Sequence, residues 1–399
     1  MTQTVSEQWM ARCAGAVMHT YGRQPLVITR GEGARLWDAQ GREYLDCVAG
    51  LAVASLGHAH PAVAAAVCRQ AKELVHVSNL YYTTPMIELA EDLTRLSFAD
   101  RVFFGNSGAE ANEGAIKLAR RYAAQKFGEG RHTIICASGS FHGRTLATLS
   151  ATGQKKFWQG FAPLMPGFVF VPFGDLEAAA KAIDRTTCAI LVEPIQGEGG
   201  VQMPPPGYLA GLRKLCDDQG LLLIFDEVQV GLGRTGRLWC HEHDGVAPDI
   251  MTLAKALANG LPIGTLLATA EAAAGFAPGS HASTFGGGPV ICAAAREVLR
   301  ILSAPEFLAQ VRAQGEYFLA GLNEVATQHA FVKETRGRGL ILALELDKDG
   351  LAAVDACREK GLLINCTQGT ILRFLPPLII DRAQIDRALG IISDVLAGY

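Results

Sequence analysis

LLLIFDEVQVGLGRTGRLWCHEHDGVAPDIMTLAKALAN, residues Leu221 to Asn259, is the stretch whose reading decides the fold. Its first five residues are continuously apolar, as in a central parallel strand covered on both faces. Charge begins abruptly at Asp226 and Glu227. In open α/β sheets ligands collect beyond the carboxyl ends of the strands, so acids at that point face a site more often than solvent. One isolated lysine, Lys255, follows Asp249, Ile250 and a short apolar segment. The same stretch holds Gly231-Leu232-Gly233-Arg234-Thr235-Gly236, a match to GxGxxG. A dinucleotide fingerprint opens a helix, whereas RLWCHEHDGVAPD contains Gly245 and Pro248 and has no helical apolar period. Two carboxylates at the strand end would also repel a pyrophosphate. A nicotinamide enzyme is not expected.

The segments upstream repeat the pattern of strand, loop and helix. Arg101 to Gly105 is a short strand, and Asn106-Ser107-Gly108-Ala109-Glu110 opens a helix running to about Gln125. Free N–H groups and small residues at a helix N-terminus suit a phosphate, although Ser107 also reads simply as an N-cap. Thr133 to Cys136 leads into a loop with Phe141, His142 and Arg144, residue types that stack on rings and bind carboxylates. Val169 to Pro172 and Ala189 to Val192 are further strands, separated by the helix-like Leu176 to Asp184. The second ends in Glu193-Pro194-Ile195-Gln196-Gly197-Glu198-Gly199-Gly200, acids and glycines at the same edge. This order predicts a mostly parallel α/β sheet with right-handed crossovers.

The ends of the chain differ in character. Two short β-like runs flank Asp38-Ala39-Gln40-Gly41, a hairpin signal. His58 and His60 stand in a Gly-His-x-His-Pro turn and read as structural, before helices expected over Ala62 to Val75 and Pro85 to Leu96. Thr265 to Thr269 is a strand, and His281 to Pro289 is dense in glycine. Beyond Glu297, helices give way to strands at Leu340 to Leu346, Gly361 to Asn365 and Ile371 to Leu375, then a final helix. The expected division is a large domain over 51–299, with 1–50 and 300–399 forming a smaller α+β domain whose sheet the N-terminal hairpin joins.

Composition bounds the function class. The 399 residues are 49% hydrophobic and 19% charged with a net charge of −3, enough apolar mass for a large core and no basic footprint for nucleic acid or membrane. Glu7 and Arg12 interrupt the apolar core that a secretion signal would need, and Gly, Pro and His interrupt the long uncharged stretches. Ten scattered cysteines without a CxxC pair fit reduced thiols in a cytoplasmic enzyme and no metal centre.

A phosphate site, a stacking aromatic, an acid for a ring nitrogen and a lysine in apolar surroundings are the parts that pyridoxal 5′-phosphate requires. Asp226 would keep the pyridine nitrogen protonated, and Lys255 would hold the cofactor and later move protons. Each part has a plain counterpart: a capped helix, a core Phe, a surface Asp, a solvated Lys. Their order along the chain favours the combined reading.

Six motifs then carry a resemblance: NSGAEANE from Asn106, FHGRT from Phe141, EPIQGEGG from Glu193, DEVQVGLGRTG from Asp226, DIMTLAKAL from Asp249 and STFGG from Ser283. Together they resemble the class III pyridoxal-phosphate-dependent aminotransferases over almost the whole chain. The resemblance implies fold type I architecture and a homodimer with active sites at the subunit interface. It implies that Lys255 holds the cofactor, Asp226 pairs with the pyridine nitrogen, Val228 packs on the ring and Gln229 contacts its 3-hydroxyl. Ser107, Gly108 and Ala109 would bind phosphate, Phe141 would stack on the ring, and Thr284 would reach the phosphate of the neighbouring subunit. Arg144 and Arg373 would take substrate carboxylates, with Glu198 covering Arg373 when the substrate presents none there, and Ser283 would border the acetylornithine site.

The implied reaction moves the δ-amino group of N2-acetyl-L-ornithine to 2-oxoglutarate, giving N-acetylglutamate 5-semialdehyde and glutamate, a step of arginine biosynthesis. Donors left open are succinylornithine, 4-aminobutyrate and N-succinyl-diaminopimelate; a racemase or aminomutase on the same fold is a more distant alternative. Four positions depart from the family pattern. Ala258-Asn259 stands where glycines are common, Gly288 replaces a frequent asparagine, and Leu51 stands where ornithine δ-aminotransferases carry tyrosine, which argues against free ornithine.

Overall fold

The computed structural model describes residues 4–399. Seven strands form the central sheet, in the order Arg101–Gly105, Gly264–Ala268, Ile250–Leu253, Leu222–Asp226, Thr187–Val192, Thr133–Ala137, Phe168–Val171. Only Gly264–Ala268 runs antiparallel to its neighbours; the other six point the same way. Side chains alternate across a strand. Leu222 and Ile224 therefore enter one core layer with the long helix Gly108–Phe127, while Leu221, Leu223 and Phe225 enter another with the helix Tyr208–Gln219. Burial on both faces is why Leu221 to Phe225 reads as an unbroken apolar run.

The chain leaves Thr133–Ala137 toward one edge of the sheet and leaves Thr187–Val192 toward the other. Between two strands whose connections diverge, the loops part and leave a crevice at the carboxyl ends. The loops after residues 137 and 192 therefore meet there, beside the end of Leu222–Asp226.

The N-terminal strands Ile28–Glu32, Arg35–Asp38 and Glu43–Asp46 form a second sheet, and Leu362–Leu363 completes it in parallel with Leu45 and Asp46. A third sheet, of four strands, comprises Val332–Arg338, Ile341–Leu346, Ile371–Phe374 and Asn365–Thr367. The strand expected over Gly361 to Asn365 is thus two strands in two sheets, parted at Ile364. Val332–Arg338 has no counterpart in the sequence reading. Its sequence, VKETRGR, is charged and half exposed, so it lacks the apolar alternation that marks a strand, and pairing with Ile341–Leu346 holds it. The helices stop earlier than periodicity predicts, at Ala71 and Ala182. One apolar cluster continues from Met251 and Leu253 through the helix Pro289–Leu302 to Leu372, Phe374 and the final helix Arg382–Ala397. No described helix is long and apolar enough to cross a membrane.

Candidate active site

A cavity of about 390 Å³ lies at the crevice, lined by the start of the helix Gly108–Phe127, the loops after residues 140, 192 and 226, Lys255, and Val53. Asp226, at the last position of its strand, is buried and held by three donors. Val228 N donates to Oδ1 at 3.0 Å, Asn112 Nδ2 to Oδ2 at 2.8 Å, and His142 Nδ1 lies 2.8 Å from Oδ2. Thr252 Oγ1 in turn donates to Asn112 Oδ1 at 2.7 Å. Facing a carboxylate, His142 Nδ1 acts as the donor, and its Nε2 is buried without a partner.

Lys255 follows the strand Ile250–Leu253 and is held at φ +37°. Few side chains adopt that region, and such residues cluster at functional sites. Burial lowers its amine below the usual lysine range, against the opposing pull of Glu198 and Asp226. Arg373, on Ile371–Phe374, is fully buried; its Nη2 meets Glu198 Oε1 at 2.8 Å and its Nη1 donates to Gln229 Oε1 at 3.3 Å. Burial raises the Glu198 carboxyl, but the Arg373 guanidinium offsets that and holds it below the usual range. Gln229 Nε2 is buried with no partner.

Ser107 caps the helix, its Oγ accepting from Glu110 N at 3.1 Å. Its carbonyl accepts from Ala111 N, so in the first turn the amides of Gly108 and Ala109 are left for an outside acceptor. A Cβ on Gly108 would come within 2.8 Å of Val228 Cγ1, and one on Gly264 within 2.0 Å of Ser107 O, so both glycines are required for close approach. Phe141 and Arg144 also line the cavity. The Arg144 guanidinium is exposed and stacks 4.0 Å from the Phe157 ring and 5.5 Å from Phe141.

The structure gathers Ser107, Gly108, Ala109, Phe141, Arg144, Glu198, Asp226, Val228, Gln229 and Lys255 around this cavity, and Arg373 directly behind Glu198 and Gln229. Ser283 and Thr284 are not among its walls. They line a neighbouring depression with Phe103, Glu110 and Phe285, where Ser283 Oγ accepts from Asn106 Nδ2 at 3.1 Å and Thr284 is exposed. Leu51 is also outside the lining, 41% exposed on a turn that Val53 enters from. His58 Nε2 lies 2.7 Å from Asp46 Oδ2, in a structural role. Gly231 to Gly236 opens no helix; Arg234 within it is buried against the carbonyls of Leu340 and Pro376.

Asn112 was given no role of its own by sequence reasoning, His142 was read only as part of a loop suited to ligands, and Glu193 only as an acid at the sheet edge. Asn112 and His142 are the Asp226 partners above, and Glu193 accepts from Phe141 N at 3.0 Å and Gly197 N at 3.2 Å. Burial, with Asp226 nearby, pushes the Glu193 carboxyl up to about 7, against the pull of His142. A signal existed for Asn112: a polar amide among alanines on the inner face of a helix needs a buried partner.

The family model for class III aminotransferases matches residues 16–396, and the chain belongs to that family, whose members depend on pyridoxal phosphate. Among its relatives, the acetylornithine aminotransferase of Caldanaerobacter subterraneus subsp. tengcongensis is 52% identical, over 96% of this chain and 97% of its own. Two solved structures share the fold. An ornithine aminotransferase from Toxoplasma gondii, with pyridoxal phosphate at partial occupancy in its active site, superposes with a TM-score of 0.96 at 37% identity, covering 98% of this chain and 94% of its own. The acetylornithine aminotransferase from Elizabethkingia anophelis gives 0.89 at 32% identity, each chain covered in full.

Proposed function

We propose that this aminotransferase binds pyridoxal 5′-phosphate in the cavity beside Asp226 and moves the δ-amino group of N2-acetyl-L-ornithine to 2-oxoglutarate. The observation that carries the reading is the placement of Lys255, Asp226 and the Arg373–Glu198 pair around one cavity, in a chain half identical to an acetylornithine aminotransferase. The donor set fits the cofactor. Asp226 is fixed to receive a ring N–H, the free Gln229 Nε2 suits a phenolic oxygen, and the amides of Gly108 and Ala109 suit a phosphate with Ser107. Val228 and Phe141 would flank the ring. Bound there, pyridoxal phosphate supplies an electron-withdrawing ring that carries the amino group between substrates.

The chain's own residues do the rest. Lys255 Nζ anchors the cofactor and then moves a proton at the substrate's amino-bearing carbon, a role its lowered amine pKa favours. Arg144, stacked on Phe157, receives a carboxylate common to both substrates. In the acetylornithine half-reaction Glu198 covers Arg373; in the glutamate half-reaction it turns away and the second carboxylate takes its place. Ser283 and Thr284 sit beside Asn106 on an exposed face, and the reading assigns them to the neighbouring subunit's site in a homodimer. The large domain would be 51–299, with 1–50 and 300–399 as the smaller one.

Purified protein is expected to show the near-visible absorbance of lysine-bound pyridoxal phosphate, and Lys255→Ala to lack both that band and turnover. Normal turnover in the variant would refute the assignment. A panel of acetylornithine, succinylornithine, ornithine and 4-aminobutyrate with 2-oxoglutarate should rank acetylornithine first in kcat/KM.

A further inference from the structure

We propose that Gln368, at the tip of the hairpin between Asn365–Thr367 and Ile371–Phe374, is a positioning residue for Glu198. It holds the main chain of Glu198, so that covering and uncovering Arg373 is a rotation of one side chain. The inference rests on the reading of Glu198 as the cover of Arg373.

Glu198 stands between Gly197 and Gly199, with Gly200 beyond at φ +105°. Gly199 is required by close approach, since a Cβ there would fall 2.8 Å from Gly139 O, and a Cβ on Gly197 would fall 1.8 Å from Gln229 Oε1 and displace that side chain. The same glycines leave the backbone around Glu198 little conformational preference of its own. A carboxylate that must meet a guanidinium at 2.8 Å needs its main chain fixed from outside.

The hairpin supplies that hold. Gln368 Nε2 donates to the Glu198 carbonyl at 2.6 Å and Thr367 Oγ1 donates to the same oxygen at 2.7 Å. The second hydrogen of the Gln368 amide goes to Gln154 Oε1 at 3.0 Å, and its Oε1 faces Lys156 Nζ at 3.5 Å. Both polar atoms of its side chain are therefore used, although the residue is exposed. The backbone argues the same way. Gln368 is held at φ +55°, next to Gly369 at +81°. Asparagine and glycine take that region more readily, and glutamine has no local reason to be there. What glutamine adds over asparagine is one methylene of reach, and that reach ends on Glu198.

Gln368→Asn separates the two roles, because it suits the turn and falls short of Glu198. The ratio of kcat/KM for glutamate to kcat/KM for acetylornithine should rise about three- to tenfold, the worth of one lost hydrogen bond, as Arg373 is covered less of the time. Glutarate, an unreactive dicarboxylate, should bind more tightly by a similar factor in calorimetry, and Tm should not fall. Thr367→Val, which removes the other donor, should move the ratio in the same direction. Glu198→Gln is measured alongside. If it shifts the ratio while Gln368→Asn and Thr367→Val leave both ratio and glutarate affinity unchanged, the role of Gln368 is refuted and the cover stands. If Glu198→Gln leaves the ratio unchanged, the cover itself fails and this inference with it.

Discussion

Glu193 is the residue whose environment has the clearest consequence for solution behaviour. Its carboxyl is pushed from 4.5 up to about 7 by burial. Between those values the folded protein holds a proton that the unfolded chain has lost, so stability falls as pH rises. The contribution is complete below about 4.5 and gone above about 7. Glu193→Gln carries no titrating group, so the difference in stability between wild type and variant should change across that window, to the detriment of wild type at the alkaline end. Parallel denaturation curves at several pH values check this; a difference independent of pH would contradict it. Asp226 and Lys255 stand out in the sequence because polar residues follow apolar strands there. Glu193 occupies the same kind of position, but its protonation depends on which side chains close over it, and that is a property of three loops meeting.

At the scale of the element, the turn Ala49–Ala52 carries a run of backbone strain. All four residues have positive φ, from +49° at Ala49 to +67° at Ala52, and Val53 N bonds to Ala49 O at 2.8 Å. This is one turn of left-handed helix, at a cost of about 1–2 kcal/mol for each residue that bears a side chain. Asp46 holds it by accepting from Val48 N at 2.8 Å and Ala49 N at 2.9 Å, and Ala52 is anchored in an apolar cluster with Ile195 and Val230. The turn delivers Val53 to the cavity wall. Leu51→Gly, at an exposed position, should leave stability equal or raise it by up to about 1 kcal/mol, since glycine relieves the strain. A loss greater than about 1 kcal/mol in urea denaturation would mean that the Leu51 side chain is held by contacts worth more than the strain. Small residues at 46–61 hint at a turn in the sequence. Its handedness was not legible, because local propensity favours the right-handed form and only packing around Asp46 and Ala52 overrides it.

At the scale of the whole molecule, the proposed site is divided between a cavity and an adjacent exposed face. Ser283 and Thr284 lie on that face, with Phe285 67% exposed beside them. In the proposed homodimer this face completes the partner's site, which predicts complementation between two inactive variants. Lys255→Ala and a Thr284 variant that has lost phosphate affinity, co-expressed, should recover part of the activity, because a mixed dimer assembles one site with both residues intact. Mixtures no more active than the separate variants, with dimers present by sedimentation, would place Thr284 outside the partner's site.

The sequence by itself determined the parallel sheet, the position of its ligand edge and most of the residues that gather there. Those features follow from local causes: unbroken apolar runs need cover on both faces, and polar residues at strand ends have nowhere else to go than the crevice. Only the tertiary structure decided that Asn112 and His142 fix Asp226, that Leu362–Leu363 joins the N-terminal sheet, and that a hairpin 170 residues downstream reaches Glu198. Each depends on contacts between distant segments, and the spacing of residues along a chain carries no record of which distant segment will close over it.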